Sequence, residues 1–354
     1  MENVKSSKTK RHWFHFSLKM LLLVVLLCAV ACGWFVLKMN QANGRREAVA
    51  AIRKANGRVE YDYDRSKKRE PPRPAWLVKL LGVDFFTDVH SVTLSRSADD
   101  QSMNHVKPLT NIRELSLRNT KVTDAGLEQL EGLTPLQKLD LNGTQITDAG
   151  LGHLSGLTGL QELSLANTLV TDAGLEHLQG LKNLERLSLA NTALSGAGLK
   201  NLQGAENLEW LDLTNTHIND NSMEDLRFLW AWFKLTSLGE VSTLNPVFTL
   251  ILDQTQITDA GLAHLEDLDY YPTALSLRET QVTDVGIEHL QGLSKLRYVE
   301  LQGTKVTREG WTKLHNSLPS RWDFCPACHK FKALRGTDMK GVLECRFCGY
   351  KQPQ

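Results

Sequence analysis

The chain has 354 residues, 42% of them apolar, with 41 Lys plus Arg against 40 Asp plus Glu. That composition can bury a sizeable core and excludes wholesale disorder, while the formal net charge of +1 excludes a global electrostatic draw toward nucleic acid or an acidic substrate. The six cysteines fall in two groups, Cys28 and Cys32 near the start and Cys325, Cys328, Cys345 and Cys348 at the end, which excludes a secreted domain stapled throughout by disulfides.

Residues 1–19 form a basic tail carrying Lys5, Lys8, Lys10, Arg11 and Lys19. Residues 20–37 then read MLLLVVLLCAVACGWFVL without a charge. As a helix this stretch covers roughly 27 Å, close to the ~30 Å of a bilayer's hydrocarbon core. Aromatic residues flank it: Trp13, Phe14 and Phe16 before, Trp34 and Phe35 at the far end. The expectation is an uncleaved, single-pass transmembrane helix. A signal peptide is the rival, and Ala29-Val30-Ala31-Cys32 keeps a lipoprotein version open, although Cys28 fits that motif poorly. Cations before the span balance Lys38, Arg45, Arg46, Arg53 and Lys54 after it, so the positive-inside rule returns a tie. A signal-anchor usually sends the following chain outward, which favours the extracytoplasmic side. Ala29 and Gly33 form a small-xxx-small pair of the kind that packs helices together, a pattern common by chance.

Residues 38–88 read as linker and N-terminal cap. Gln41 to Ala55 is helix-like, Gly57 stops it, Arg58 to Tyr63 suits a strand, and Pro71, Pro72 and Pro74 break the chain before a short helix at Trp76 to Leu81. A stacked array needs such a cover over its first apolar face.

Internal repetition dominates residues 89–318. Leu117, Leu141, Leu165, Leu189 and Leu213 follow one another at intervals of 24 residues. Around each runs L-x-x-L-x-L-x-x-T-x-[VI]-T-D-A-G-L-x-x-L-x-x-L, with drift in the fourth and fifth copies. Further copies centre on Leu252, Leu277 and Leu301, and Val89, Val92 and Leu94 suggest a degenerate strand in front. The leucine period of two predicts a short strand, and the apolar spacing of three from Gly-Leu onward predicts a helix. Thr-Asp between them suits a helix start: Thr caps the free N–H groups and Asp meets the positive dipole end. The threonine before each Val/Ile, from Thr120 to Thr304, is expected to satisfy backbone groups at the turn out of the strand. The fold class predicted is an α/β solenoid, with parallel strands on one face and helices on the other.

This pattern resembles the bacterial leucine-rich-repeat proteins of the T-D-A-G-L type, and is similar to the repeats behind F-box domains in eukaryotic ligase subunits. No F-box-like helical module precedes the repeats here. The resemblance implies an interaction scaffold without naming a ligand.

Two columns of residues lie between the strand leucines. One reads Glu114, Lys138, Glu162, Arg186, Trp210, Thr249, Ala274, Tyr298, and its first four members suit an alternating charge ladder. Trp210 and Tyr298, the aromatics of these columns, are candidate partner anchors. From Leu213 to Leu252 the interval is 39 residues instead of 24, so an insert lies near 227–246. Its Trp230, Trp232 and Phe233 either fold back on the neighbouring repeats or form an exposed patch for a partner. His153, His177, His264 and His289 share one repeat position and read as a solvated row. No G-x-S-x-G, H-E-x-x-H or G-x-x-x-x-G-K-[ST] is present, so no enzymatic activity is expected.

Residues 323–352 hold Cys325-Pro-Ala-Cys328 and Cys345-Arg-Phe-Cys348-Gly349. Two C-x2-C turns can aim four thiolates at one tetrahedral Zn2+. The arrangement looks like a zinc ribbon, with His329 departing from the glycine usual after the first pair. A module this small needs metal for much of its folding energy. A pair of redox dithiols is the alternative, without a thioredoxin-like context. Lys330, Lys332, Arg335, Lys340, Arg346 and Lys351, interleaved with Phe331, Phe347 and Tyr350, leave nucleic-acid binding as the second functional reading, and capping of the solenoid as a third role for the ribbon. The function expected first is a membrane-anchored protein-interaction scaffold or receptor-like binding protein.

Overall fold

The computed structural model describes residues 18–65, 74–226, 248–266, 272–293, 296–318, 334–337, 342–345 and 351–353. Helix α1 (Leu18–Lys54) runs unbroken for 37 residues. The sequence suggested a span followed by a separate helix. With no proline between 18 and 54, and with Ala, Arg, Glu and Lys favouring helix beyond Leu37, one rod results. It ends where Asn56 turns left-handed at φ 61° and the Gly57 N–H reaches back to the Ile52 carbonyl at 2.8 Å. The apolar half of α1 is not buried anywhere in the fold, and only its far end, at Phe35, packs against another ring. This is a helix long and apolar enough to cross a membrane. The second half is different. Ala48, Val49 and Ile52 enter the core.

Ten strands follow in chain order within one sheet. Strand β1 (Arg58–Tyr61) lies antiparallel to β2 (Val89–Thr93). Parallel pairing then carries the sheet through β3 (Glu114–Ser116), β4 (Lys138–Asp140), β5 (Glu162–Ser164), β6 (Arg186–Ser188) and β7 (Trp210–Asp212). It continues through β8 (Thr249–Ile251), β9 (Ala274–Ser276) and β10 (Tyr298–Glu300). Strand β7 pairs directly with β8, so the insert leaves the sheet unbroken. The strand leucines and those of the return segments make one apolar cluster, from Ala48 to Leu318.

The return segments are tighter than ordinary helices. Asp148–Leu151 makes a single α-turn that runs into 3-10 geometry at Gly152–Leu154, and Asp172–Leu178 is 3-10 throughout. The leucine spacing of three explains this, because a 3-10 helix has 3.0 residues per turn and aligns positions i, i+3 and i+6 on one face. The helix Arg308–Ser317 follows β10 and sends Leu314 into the core.

Threonine hydroxyls close the turns out of β3 to β10. Thr120 donates to the Leu117 carbonyl at 2.7 Å, and Thr144, Thr168, Thr192, Thr216, Thr255, Thr280 and Thr304 repeat the bond. The residue before each takes the left-handed conformation, which Asn tolerates well, as at Asn119, Asn167, Asn191 and Asn215.

Strands β11 (Leu334–Thr337), β12 (Val342–Cys345) and β13 (Lys351–Pro353) form a separate antiparallel sheet.

Candidate interaction face on the parallel sheet

Each three-residue strand buries its central residue and turns the two flanking residues to the open face of the sheet. The register makes two columns. Ser91, Glu114, Lys138, Glu162, Arg186 and Trp210 lie side by side, and Thr93, Ser116, Asp140, Ser164, Ser188 and Asp212 form the second row. All of these except Asp212 line a groove of about 490 Å³.

The expected charge ladder forms only in its middle. Lys138 Nζ meets Glu162 Oε1 at 2.7 Å. Glu114 instead faces His90 Nε2 at 3.7 Å, while His90 Nδ1 lies 2.9 Å from Asp62. Arg186 lays its guanidinium 4.8 Å above the centre of the Trp210 ring. Neither change is legible in the sequence. His90 precedes the first complete repeat, and an arginine beside both a carboxylate and an indole has two partners that sequence alone does not rank.

The second row is polar and tied down. Ser116 and Ser188 donate to Asp140 and Asp212 of the following strands at 3.4 and 3.2 Å. Asp212 Oδ1 also accepts from the Thr214 hydroxyl at 2.6 Å.

Tyr298 does not join Trp210. Three strand steps separate them in one column, roughly 14 Å at ~4.8 Å per step. Around Tyr298 lies a different cluster. Ser276 donates to Asp253 Oδ1 at 2.5 Å, and Arg278 Nη1 lies 3.7 Å from Glu300 Oε2. Burial, then a hydrogen bond to Glu300, raises the Tyr298 hydroxyl well above the ordinary phenol range, so it stays protonated. Burial likewise holds Asp253 above the usual carboxylate range despite its Ser276 and Arg278 partners.

On the opposite side of the array, His153 and His289 reach back to carboxylates of the preceding repeats, Glu131 at 2.7 Å and Glu266 at 2.6 Å. Among the described residues no group of three or more His, Cys, Asp or Glu could hold a metal ion. Cys325, Cys328 and Cys348 lie outside the described residues, as do Trp230, Trp232 and Phe233 of the insert. Cys345 is the last residue of β12, opposite Leu334.

Residues 110–170 and 158–218 match the family model described as leucine-rich repeat. These residues are leucine-rich repeats. The β3–β10 array has the α/β solenoid form, its parallel strands on one face. No curated protein matches the sequence. Among solved structures, an internalin C2 from Listeria monocytogenes is similar at 21% identity, covering 64% of this chain and 78% of that one, with a TM-score of 0.37.

Proposed function

We propose that the chain is a membrane-anchored scaffold whose leucine-rich repeats take a protein partner on the strand face, beside Trp210. The observation that carries this reading is the Arg186–Trp210 stack within the strand-face groove. Trp and Arg dominate the energetics of protein interfaces, because each offers large contact area together with polar edges. The stacked guanidinium keeps N–H donors on its rim for a partner carboxylate, and the neighbouring Lys138–Glu162 pair disfavours partners of uniform charge. The row alternates in sign, so a phosphate backbone meets no run of cations there.

In this reading residues 20–37 are the membrane span, and Trp230, Trp232 and Phe233 of the insert supply a second contact. The terminal cysteines Cys325, Cys328, Cys345 and Cys348 hold one structural Zn2+. Support for the metal comes from the paired C-x2-C spacing and from the antiparallel sheet β11–β12–β13, which has a cysteine at a strand end.

The test is a double variant, Arg186→Glu with Trp210→Ser, in the full chain. Chemical cross-linking in intact membranes should lose the partner bands captured by the unsubstituted protein, with a melting shift below about 4 °C, as for a change under 1 kcal/mol. Leu169→Ser, an exposed apolar residue outside both columns, should keep them. Identical bands from all three proteins would remove the strand face as the binding site.

A further inference from the structure

Helix α2 (Ala75–Leu81) has the sequence AWLVKLL, with five large apolar residues in seven, and none of them is buried. Trp76 is 67% and Leu80 71% exposed, as exposed as residues of the apolar half of α1. Residues this apolar need a cover.

The contacts of α2 and the segment after it say what lies beside them. The chain leaves α2 through Gly82 into Val83–Phe85. There Phe85 packs against Phe35 of α1, ring centroids 5.5 Å apart, and Phe86 adds an edge-on contact at 5.0 Å. Phe35 belongs to the last turn of the uncharged stretch. Lys38 Nζ sits 5.4 Å from the ring centres of both Trp34 and Phe85. An ammonium held over aromatic rings at the end of an apolar helix is the side-chain arrangement of a membrane–water boundary. Arg46 Nη2 takes the carbonyl of Leu81 at 2.8 Å. Arg46 stands about 13 Å along the helix from Leu37, and side chains on a helix lean back toward its N-terminus. The α2 C-terminus is therefore held near the depth of the lipid headgroups, a zone roughly 5–8 Å thick on each side.

The junction is also stiff. Tyr61 Oη donates to Asp84 Oδ1 at 2.8 Å. Arg45 bridges the Asp88 carboxylate and the Asp84 carbonyl. Asn111, at the start of the repeats, donates to Asp88 Oδ2 at 3.0 Å. These bonds tie α1, the segment after α2 and the first repeats into one body.

We propose that α2 is an interfacial helix that lays Trp76 and Leu80 into the bilayer surface beside the emerging span, so that the repeats stand on the membrane at a set angle. This rests on reading residues 20–37 as a span. The occupant is lipid, because exposed α2 leads within four residues into Phe85, which packs on Phe35 at the end of the span.

The experiment places a benzophenone amino acid singly at Val25, Trp76, Leu80 or Leu169 of the full chain, reconstituted in phosphatidylcholine vesicles and irradiated. Mass spectrometry reads a gain of one phospholipid. The expected result is an adduct at Val25, Trp76 and Leu80 and none at Leu169, with melting unchanged in all four. An adduct at Val25 without one at Trp76 and Leu80 overturns the interfacial helix and leaves the anchor standing. No adduct at Val25 overturns the anchor and the inference with it. Adducts at all four positions mean general adsorption, and a cross-link from Leu80 to a second copy of the chain means an interface between copies; either result overturns the proposal.

Discussion

Asp124 holds Thr147 of the next repeat by two atoms at once: Oδ1 accepts from the Thr147 backbone N–H at 2.8 Å and Oδ2 from its hydroxyl at 2.6 Å. The same bracket joins Asp100 to Thr123, Asp148 to Thr171, Asp220 to Thr258, Asp259 to Thr283 and Asp284 to Thr307. From the sequence, the aspartates from Asp124 onward are expected at the dipole ends of their own helices. Asp124, Asp148, Asp259 and Asp284 do stand in the first turns of their helices, and the carboxylates also act as staples between repeats.

Asp148→Ala removes both charge-assisted bonds to Thr171 and should cost about 2–3 kcal/mol. Thr171→Val keeps the backbone bond and should cost about half as much. Urea midpoints of the two variants check the ratio; equal, negligible shifts would mean the brackets contribute nothing.

The glycine of each T-D-A-G-L segment makes room for the staple. A Cβ on Gly150 would stand 2.2 Å from Asp124 Oδ1, whereas one on Gly156 would meet nothing within 4 Å. Gly150→Ala should therefore destabilise by about 1–3 kcal/mol, and Gly156→Ala should be neutral or slightly stabilising. Thermal melting of the pair distinguishes a packing effect from a general effect of glycine loss.

Acid should loosen the array. Burial acts to raise the carboxyl of Asp172, but the Ser195 hydroxyl and the N–H groups of Gly198, Ser195 and Gly196 outweigh it and hold the group below its usual range. The folded state then binds this proton less readily than the unfolded chain. Its stabilisation is present above the unfolded value of about 3.9 and is lost as pH falls through the depressed one. Asp172→Asn should be less stable than the parent at pH 7, with the gap closing toward pH 3. A constant gap across that range would exclude titration of Asp172 as the cause.

The strands were legible because a leucine period of two admits one face inward. The threonine bonds were legible because a hydroxyl at a turn has few other partners. The staples were not, since a carboxylate that starts a helix and one that reaches 23 residues ahead share one sequence pattern. Arg186 was likewise ambiguous between Glu162 and Trp210. The junction of Arg45 with Asp84 and Asp88 spans about 40 residues of unrelated sequence, which no periodicity connects.

That junction carries its own test. Breaking a fully buried ion pair costs about 3–5 kcal/mol, but the Asp88 side chain is 37% exposed, so solvent takes up part of the loss. Arg45→Met should destabilise by about 2 kcal/mol, and Asp88→Asn should cost less when Arg45 is already Met. A double-mutant cycle in denaturant reads the coupling; additivity would mean the two side chains act independently.

Metal removal tests the terminal cysteines. Purified full-length protein in reducing buffer should carry about one zinc per chain, and Cys345→Ser should lose it. Metal analysis that finds none in the unsubstituted protein would end the zinc-ribbon reading.

One joint lacks the staple. Where the first to third and fifth to seventh repeats have Asp, the fourth has Gly196, at φ 109°, and Ser222 of the fifth packs into the space, its hydroxyl bonded to the Ser195 carbonyl at 2.6 Å. A neutral hydrogen bond replaces a bidentate carboxylate there, directly after the joint at which Asp172 gathers Ser195, Gly196 and Gly198. The array is thus two stapled blocks sharing a softer hinge line. That line runs between the repeats that carry Arg186 and Trp210, so under the proposed tether and partner site it is the mechanical fuse. Under tension the two blocks part along this line before either loses its shape. Single-molecule pulling on the full chain should show this as two rips, merging into one when Gly196 is replaced by Asp together with Ser222→Gly.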